Sequence, residues 1–75
     1  MEERLLTIVS EVLELPRDRI HLDLHADQVE NWDSLCLLNL VSAVESGFGV
    51  TIPIEELDSI AMVRDFVRFI PKEAL

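Results

Sequence analysis

A single cysteine, Cys36, leaves no partner for an internal disulfide in these 75 residues. Nothing covalent reinforces the fold, and a free thiol fits a reducing cytosol. Basic residues are scarce. Six Lys and Arg stand against fifteen Asp and Glu, giving a net charge of −9 and a pI near 4.4. Such a surface repels phosphate backbones and anionic lipid, which argues against nucleic acid and membrane as partners. It favours encounter with basic protein surfaces, and equally it favours plain solubility. Uninterrupted apolar runs are only a few residues long, too short to cross a bilayer. The opening Met1-Glu2-Glu3-Arg4 lacks the basic start and unbroken apolar core of a signal peptide. Internal repeats and low-complexity tracts are absent as well. What is present is a 49% apolar composition, enough for a compact core despite the charge. The expectation is one small domain over residues 1–75, cytoplasmic and monomeric, with a thin stability margin.

Apolar residues at Leu5, Ile8, Val9, Val12 and Leu13 make one helical stripe and predict a first helix over about 2–15. Pro16 stops it by pushing the preceding residue out of the α region. A long loop, 16–33, follows. Ile20, Leu22 and Leu24 alternate there with His21 and Asp23, but no second strand exists to pair with them, so they read as side chains pinning a loop. His21, Asp23, His25 and Asp27 have metal-ligand chemistry without HExxH or EF-hand spacing, and read as solvated loop residues; no metal is expected. Helix two, about 34–48, carries Leu37, Leu38, Leu40, Val41, Val44 and Phe48 on more than one face and should be the most buried. Gly47 and Gly49 supply the left-handed residue that ends it. A short helix over about 55–59 and a last helix over about 61–70, striped by Val63, Phe66, Val67 and Ile70 and ended by Pro71, complete the chain. The fold class is all-α: a small bundle of three principal helices and one short helical turn, with a long first loop.

Asn31-Trp32-Asp33-Ser34-Leu35 stands where the polar loop meets the apolar helix two. Asn31, Asp33 or Ser34 each suits an N-cap, whose side-chain oxygen accepts from an unpaired backbone N–H. Taken with Val44-Glu45, Phe48-Gly49-Val50, Ile52-Pro53 and the Ile60, Val63, Ile70 spacing, Asp33-Ser34-Leu35 resembles the acyl and peptidyl carrier protein family over nearly the whole chain. The resemblance implies that Ser34 receives 4′-phosphopantetheine from coenzyme A through a phosphopantetheinyl transferase. The arm's terminal thiol, not Cys36, would then hold an acyl or aminoacyl group as a thioester. A loading enzyme and downstream synthases or transferases would be the further partners. No catalytic residue is implied, since the cofactor holds the reactive atom.

Departures from the family pattern shape the finer expectations. Glu30-Asn31-Trp32 replaces the Leu-Gly that usually precedes the serine in fatty-acid carriers, and a tryptophan there is similar to carriers of polyketide and nonribosomal peptide assembly. A specialised pathway is therefore expected over a primary fatty-acid role, in a stand-alone carrier whose chain begins at Met1. Trp32 is expected either to contact the arm or to pack over the junction of loop and helix; the area an aromatic buries favours packing. Partner recognition is expected from Asp33, Leu35, Cys36, Asn39 and Ser42, with fewer acidic side chains along helix two than the family's fatty-acid members show. Val44, Ile52, Leu57, Ile60 and Phe66 would line a cargo cavity. The bulk of Leu57 and Phe66 would fill it and leave a short or polar cargo exposed. Two other functions compete. A carrier-like adapter would bind a protein without any prosthetic group. An enzyme using Ser34, His21 or His25 and an aspartate as a triad has little room for a pocket and oxyanion hole.

Overall fold

Leu5, Val9 and Leu13 recur every four residues, which on an α-helix puts all three on one face. In a computed structural model of the chain, which describes residues 2–30 and 32–74, they are the buried residues of α1, Glu3–Leu13. The second α-helix, α2, spans Ser34–Phe48. The other helical segments, Arg17–Arg19, Ala26–Gln28, Ile54–Ser59, Val63–Phe69 and Lys72–Ala74, are 3₁₀. Among the described residues there is no strand, and the fold is all-α.

α1 ends two residues before the expected limit. Leu15 must leave the α region ahead of Pro16, so the turn falls on Glu14, which takes left-handed geometry at φ 57°. The Leu15 amide then donates to the Ser10 carbonyl at 3.1 Å, and Ser10 Oγ donates to the Leu15 carbonyl at 2.6 Å. α2 has the expected bounds, and Gly49, at φ 66°, closes it. Gly47 has a different task from the one expected. It lies within the helix, where a Cβ would stand 2.6 Å from Ile8 Cδ1, so its missing side chain lets α1 and α2 approach. The Arg4 guanidinium donates to the Gly47 carbonyl and sits 5.0 Å from the centre of the Phe48 ring. Leu38 is also a correction: it is exposed, so α2 is not buried on every face the sequence suggested.

The last helix begins at Val63 and winds as 3₁₀ rather than α, and the short helix before it is 3₁₀ over Ile54–Ser59. Buried Val63 and Phe66 of the last helix lie three apart, a spacing that a 3₁₀ turn accommodates. The Asp65 carboxylate accepts from the Ala61 and Met62 amides at 2.8 and 3.1 Å, which fixes the start.

The first loop finds the partner that the sequence did not reveal. Leu22–Ala26 runs antiparallel to Ala61–Arg64. The Ala26 amide donates to the Ala61 carbonyl at 2.8 Å, Val63 to Leu24 at 3.0 Å and Arg64 to Leu22 at 2.9 Å. Only one isolated bridge, His25 with Met62, results. The alternation is nevertheless real: Ile20 and Leu24 are buried, Leu22 is half-buried, and His21 and Asp23 face solvent. An ion pair between Asp23 and Arg64 lies outside this tie. The guanidinium's hydrogen bond, then its charge, holds the Asp23 carboxyl below the usual carboxylate range. The core gathers Leu5, Val9, Leu40, Val44, Val63 and Phe66 with no exposure, and buries no charged side chain among the described residues.

Candidate functional site

Asp33 is extended, at φ −106° and ψ −170°, and caps α2. Its Oδ1 accepts from the Cys36 amide at 2.9 Å, and its carbonyl accepts from the Leu37 amide at 2.9 Å. This division of labour leaves Ser34 as the first helical residue with its hydroxyl uncommitted: it is exposed and has no hydrogen-bond partner among the described residues. Asn31, the other cap considered, lies outside the described residues. Ser34 thus presents a primary alcohol at the positive end of a 15-residue helix, where an attached anion is favoured.

Two surface recesses flank this point. A cleft of about 340 Å³ is lined by His25, Asp27, Trp32, Ser34, Leu37 and Ile60, among others. Trp32 is half-buried against the core, its amide donating to the Val29 carbonyl at 3.3 Å. The ring therefore packs at the junction and also walls the cleft beside Ser34. A groove of about 240 Å³, between the end of α1 and the start of α2, is lined by Val12, Glu14, Asp33, Leu35, Cys36 and Asn39.

The side chains named from sequence for partner contact divide. Leu35 is 67% exposed, and Asn39 and Ser42 are exposed. Cys36 is half-buried; burial, and secondarily the Asp33 carboxylate, pushes its thiol up. It therefore stays protonated and is a weak nucleophile near neutral pH. Leu38 was missed. Four residues beyond Ser34 it shares that side of the helix, a spacing sufficient to have placed it there. His25, which the sequence sets with Ser34 only in the competing triad, lies with it at one cleft through the tie between the loop and Ala61. Of the residues expected to line a cargo cavity, Val44, Ile52, Ile60 and Phe66 are buried in the core, and Leu57 packs half-buried against that core. Among the described residues no three His, Cys, Asp or Glu side chains cluster as metal ligands would, although His25 and Asp27 lie together.

The family model described as a phosphopantetheine attachment site matches residues 3–70. The chain belongs to that family. Among its relatives is a protein of Beutenbergia cavernae named acyl carrier protein, 36% identical over 63 residues, covering 84% of this chain and 77% of that one. Another of the same name, from Petrotoga mobilis, is 35% identical over 71 residues, 95% of this chain and 84% of the relative. The family's prosthetic group is covalent 4′-phosphopantetheine, which supplies the thiol that forms the thioester. The carrier family has no catalytic activity of its own and works with phosphopantetheinyl transferases and acyl-handling enzymes. The residues present fit such a group: an exposed hydroxyl, the end of a helix suited to an anion, and an adjoining cleft of mixed polarity. No described helix is long and apolar enough to cross a membrane.

Proposed function

We propose that Ser34 is the attachment point, and that the chain is a cytoplasmic carrier tethering an acyl or aminoacyl intermediate. The observation that supports this is the cap: Asp33 occupies it, and the Ser34 hydroxyl remains exposed. In the transferase reaction the Ser34 oxygen forms a bond to the phosphorus of coenzyme A next to the pantetheine. The pyrophosphate bond breaks, adenosine bisphosphate leaves, and the serine proton passes to a base of the transferase. The test is intact mass after incubation with coenzyme A and a broad-specificity transferase. Wild type should gain one phosphopantetheine and Ser34→Ala none. Mass added to Ser34→Ala would sink the assignment, and a folded wild type that gains none would favour the adapter function.

The surface around Ser34 supports a specialised pathway over a primary fatty-acid role. Leu35 and Leu38 are apolar and exposed, and the neighbouring Asn39, Ser42 and Ser46 carry no charge. With Asp33 and the edge of Cys36, Leu35, Asn39 and Ser42 form the contact surface, while the overall charge steers approach. The double variant Asn39→Lys, Ser42→Lys should lose docking to the cognate loading enzyme. Undiminished docking would refute this surface.

Cargo is short or polar and stays outside the fold, a reading supported by the bulk of Phe66, fully buried, and of Leu57, packed half-buried against the core. Loading an eight-carbon chain should leave the amide resonances of Val44, Ile52 and Ile60 where they are. Displacement of all three would indicate an enclosed chain instead.

A further inference from the structure

The chain's two histidines have different surroundings. His21 is exposed on the first loop, whereas His25 lines the cleft it shares with Trp32 and Ser34. The His25 ring is held in one tautomer. Its Nδ1 accepts from the Asp27 amide at 3.3 Å, and its backbone amide donates to Gln28 Oε1 at 2.9 Å. A neutral imidazole that accepts at Nδ1 carries its proton on Nε2. That Nε2–H has no partner among the described residues.

The charged groups nearby make such a donor consequential. Asp27 and Asp33 both line the cleft, with the Asp27 carboxylate 3.6 Å from His25 Nδ1, and among the described residues no Lys or Arg lines it. Arg64, on the segment that ties to this loop, is engaged by Asp23. A phosphodiester placed on Ser34 adds an anion to two carboxylates on a chain already at −9. Apart from the helix terminus, the described side chains lining the cleft that could donate to it without a further negative charge are the His25 imidazole and the Trp32 indole. Of the two, only His25 has its ring fixed by a hydrogen bond within its own loop.

We propose that His25 is a positioning residue for the prosthetic arm: its Nε2–H donates to the phosphodiester on Ser34, while the Trp32 ring walls the path of the arm's first segment. This rests on Ser34 being the attachment point and deepens that reading. The contact fixes where the arm leaves the protein surface, and hence the direction from which a partner enzyme receives it.

The test compares apo protein with protein whose complete modification has been verified by mass, so a failure of attachment is read separately from a failure of the contact. On attachment the His25 ring resonances should move several-fold more than those of His21, the built-in control. Trp32 emission should change as well, and with one Trp and no Tyr the signal has a single source. In His25→Phe, which fills similar space without a donor, the phosphorus resonance of the attached arm should shift from its wild-type position. His25 moving no more than His21 on fully modified protein, or a phosphorus resonance unchanged by His25→Phe in a folded sample, overturns the contact. No mass gain on the wild type removes the attachment on which the contact depends, and overturns it too.

Discussion

Phe66→Ala is expected to cost about 3–5 kcal/mol of folding stability. The ring has no exposed surface, and it stands with Val63 and Ile60 along the buried line of the last segment. Truncation removes apolar burial and leaves a cavity that the surrounding residues only partly refill. A chain of this length has a total of about 4–11 kcal/mol to lose. The variant should therefore unfold at much lower urea, and at the lower end of that range it would be largely unfolded in buffer. Phe69→Ala is the informative contrast, because Phe69 is half-buried and lies under Arg68 at 4.7 Å. Its loss should cost about 1 kcal/mol, the scale of a partly exposed aromatic with a surface cation. Urea unfolding followed by circular dichroism compares the two. Equal midpoints for both variants would contradict the packing described.

Glu45→Ala should be the other large loss, through a different physical route. Glu45 Oε2 accepts from the Ile52 amide at 2.7 Å, across the turn that follows α2. The Ile52 side chain is buried, so removing the carboxylate strands a donor with poor access to water. An unsatisfied group of this kind costs about 1–3 kcal/mol. Glu45→Gln keeps an acceptor of nearly the same reach and should lose much less. Amide exchange gives the decisive reading: Ile52 should lose protection in Glu45→Ala and retain most of it in Glu45→Gln. Unchanged Ile52 protection in Glu45→Ala would mean that the turn is held by other contacts. This bond also gives a physical reason for Glu45 and Ile52-Pro53 to occur at that spacing. The glutamate holds the extended connector, and Pro53 keeps Ile52 out of helical geometry.

Both ends of α2 are visible in the sequence because each depends on local chemistry: a capping Asp33 and a left-handed Gly49. The buried stripe of α1 is legible for the same reason. The 3₁₀ winding of Val63–Phe69 is not, since a stripe at 60, 63, 66 and 70 suits either helix type. Its geometry depends on Asp65 and on carbonyls of Leu22 and Leu24 far away in the chain. Gly47 resembles a terminator until Ile8 is seen against it. Ser34 stands out only through the family resemblance that Asp33-Ser34-Leu35 carries, since local chemistry reads it as one of three cap candidates. The cleft that His25 shares with Ser34 is not legible at all, because it depends on the tie to Ala61, far away in the chain. Leu38 was placed inside on hydrophobicity alone, although its four-residue spacing from Ser34 pointed outward.

The tie between Leu22–Ala26 and Ala61–Arg64 also bears on the order of folding. Its partners are about forty residues apart, so closing it loses more chain entropy than pairing neighbouring segments, and the loss must precede any gain from the contacts. Packing of α1 against α2 can begin once residue 48 is available, whereas this tie needs the segment reaching Arg64. Ile60 and Trp32 face one cleft only after it has formed. A ribosome-bound chain emerging N-terminus first therefore exposes its Ser34 hydroxyl early but assembles the surrounding cleft late. A modifying enzyme that requires the assembled surface would select completed molecules over unfinished ones.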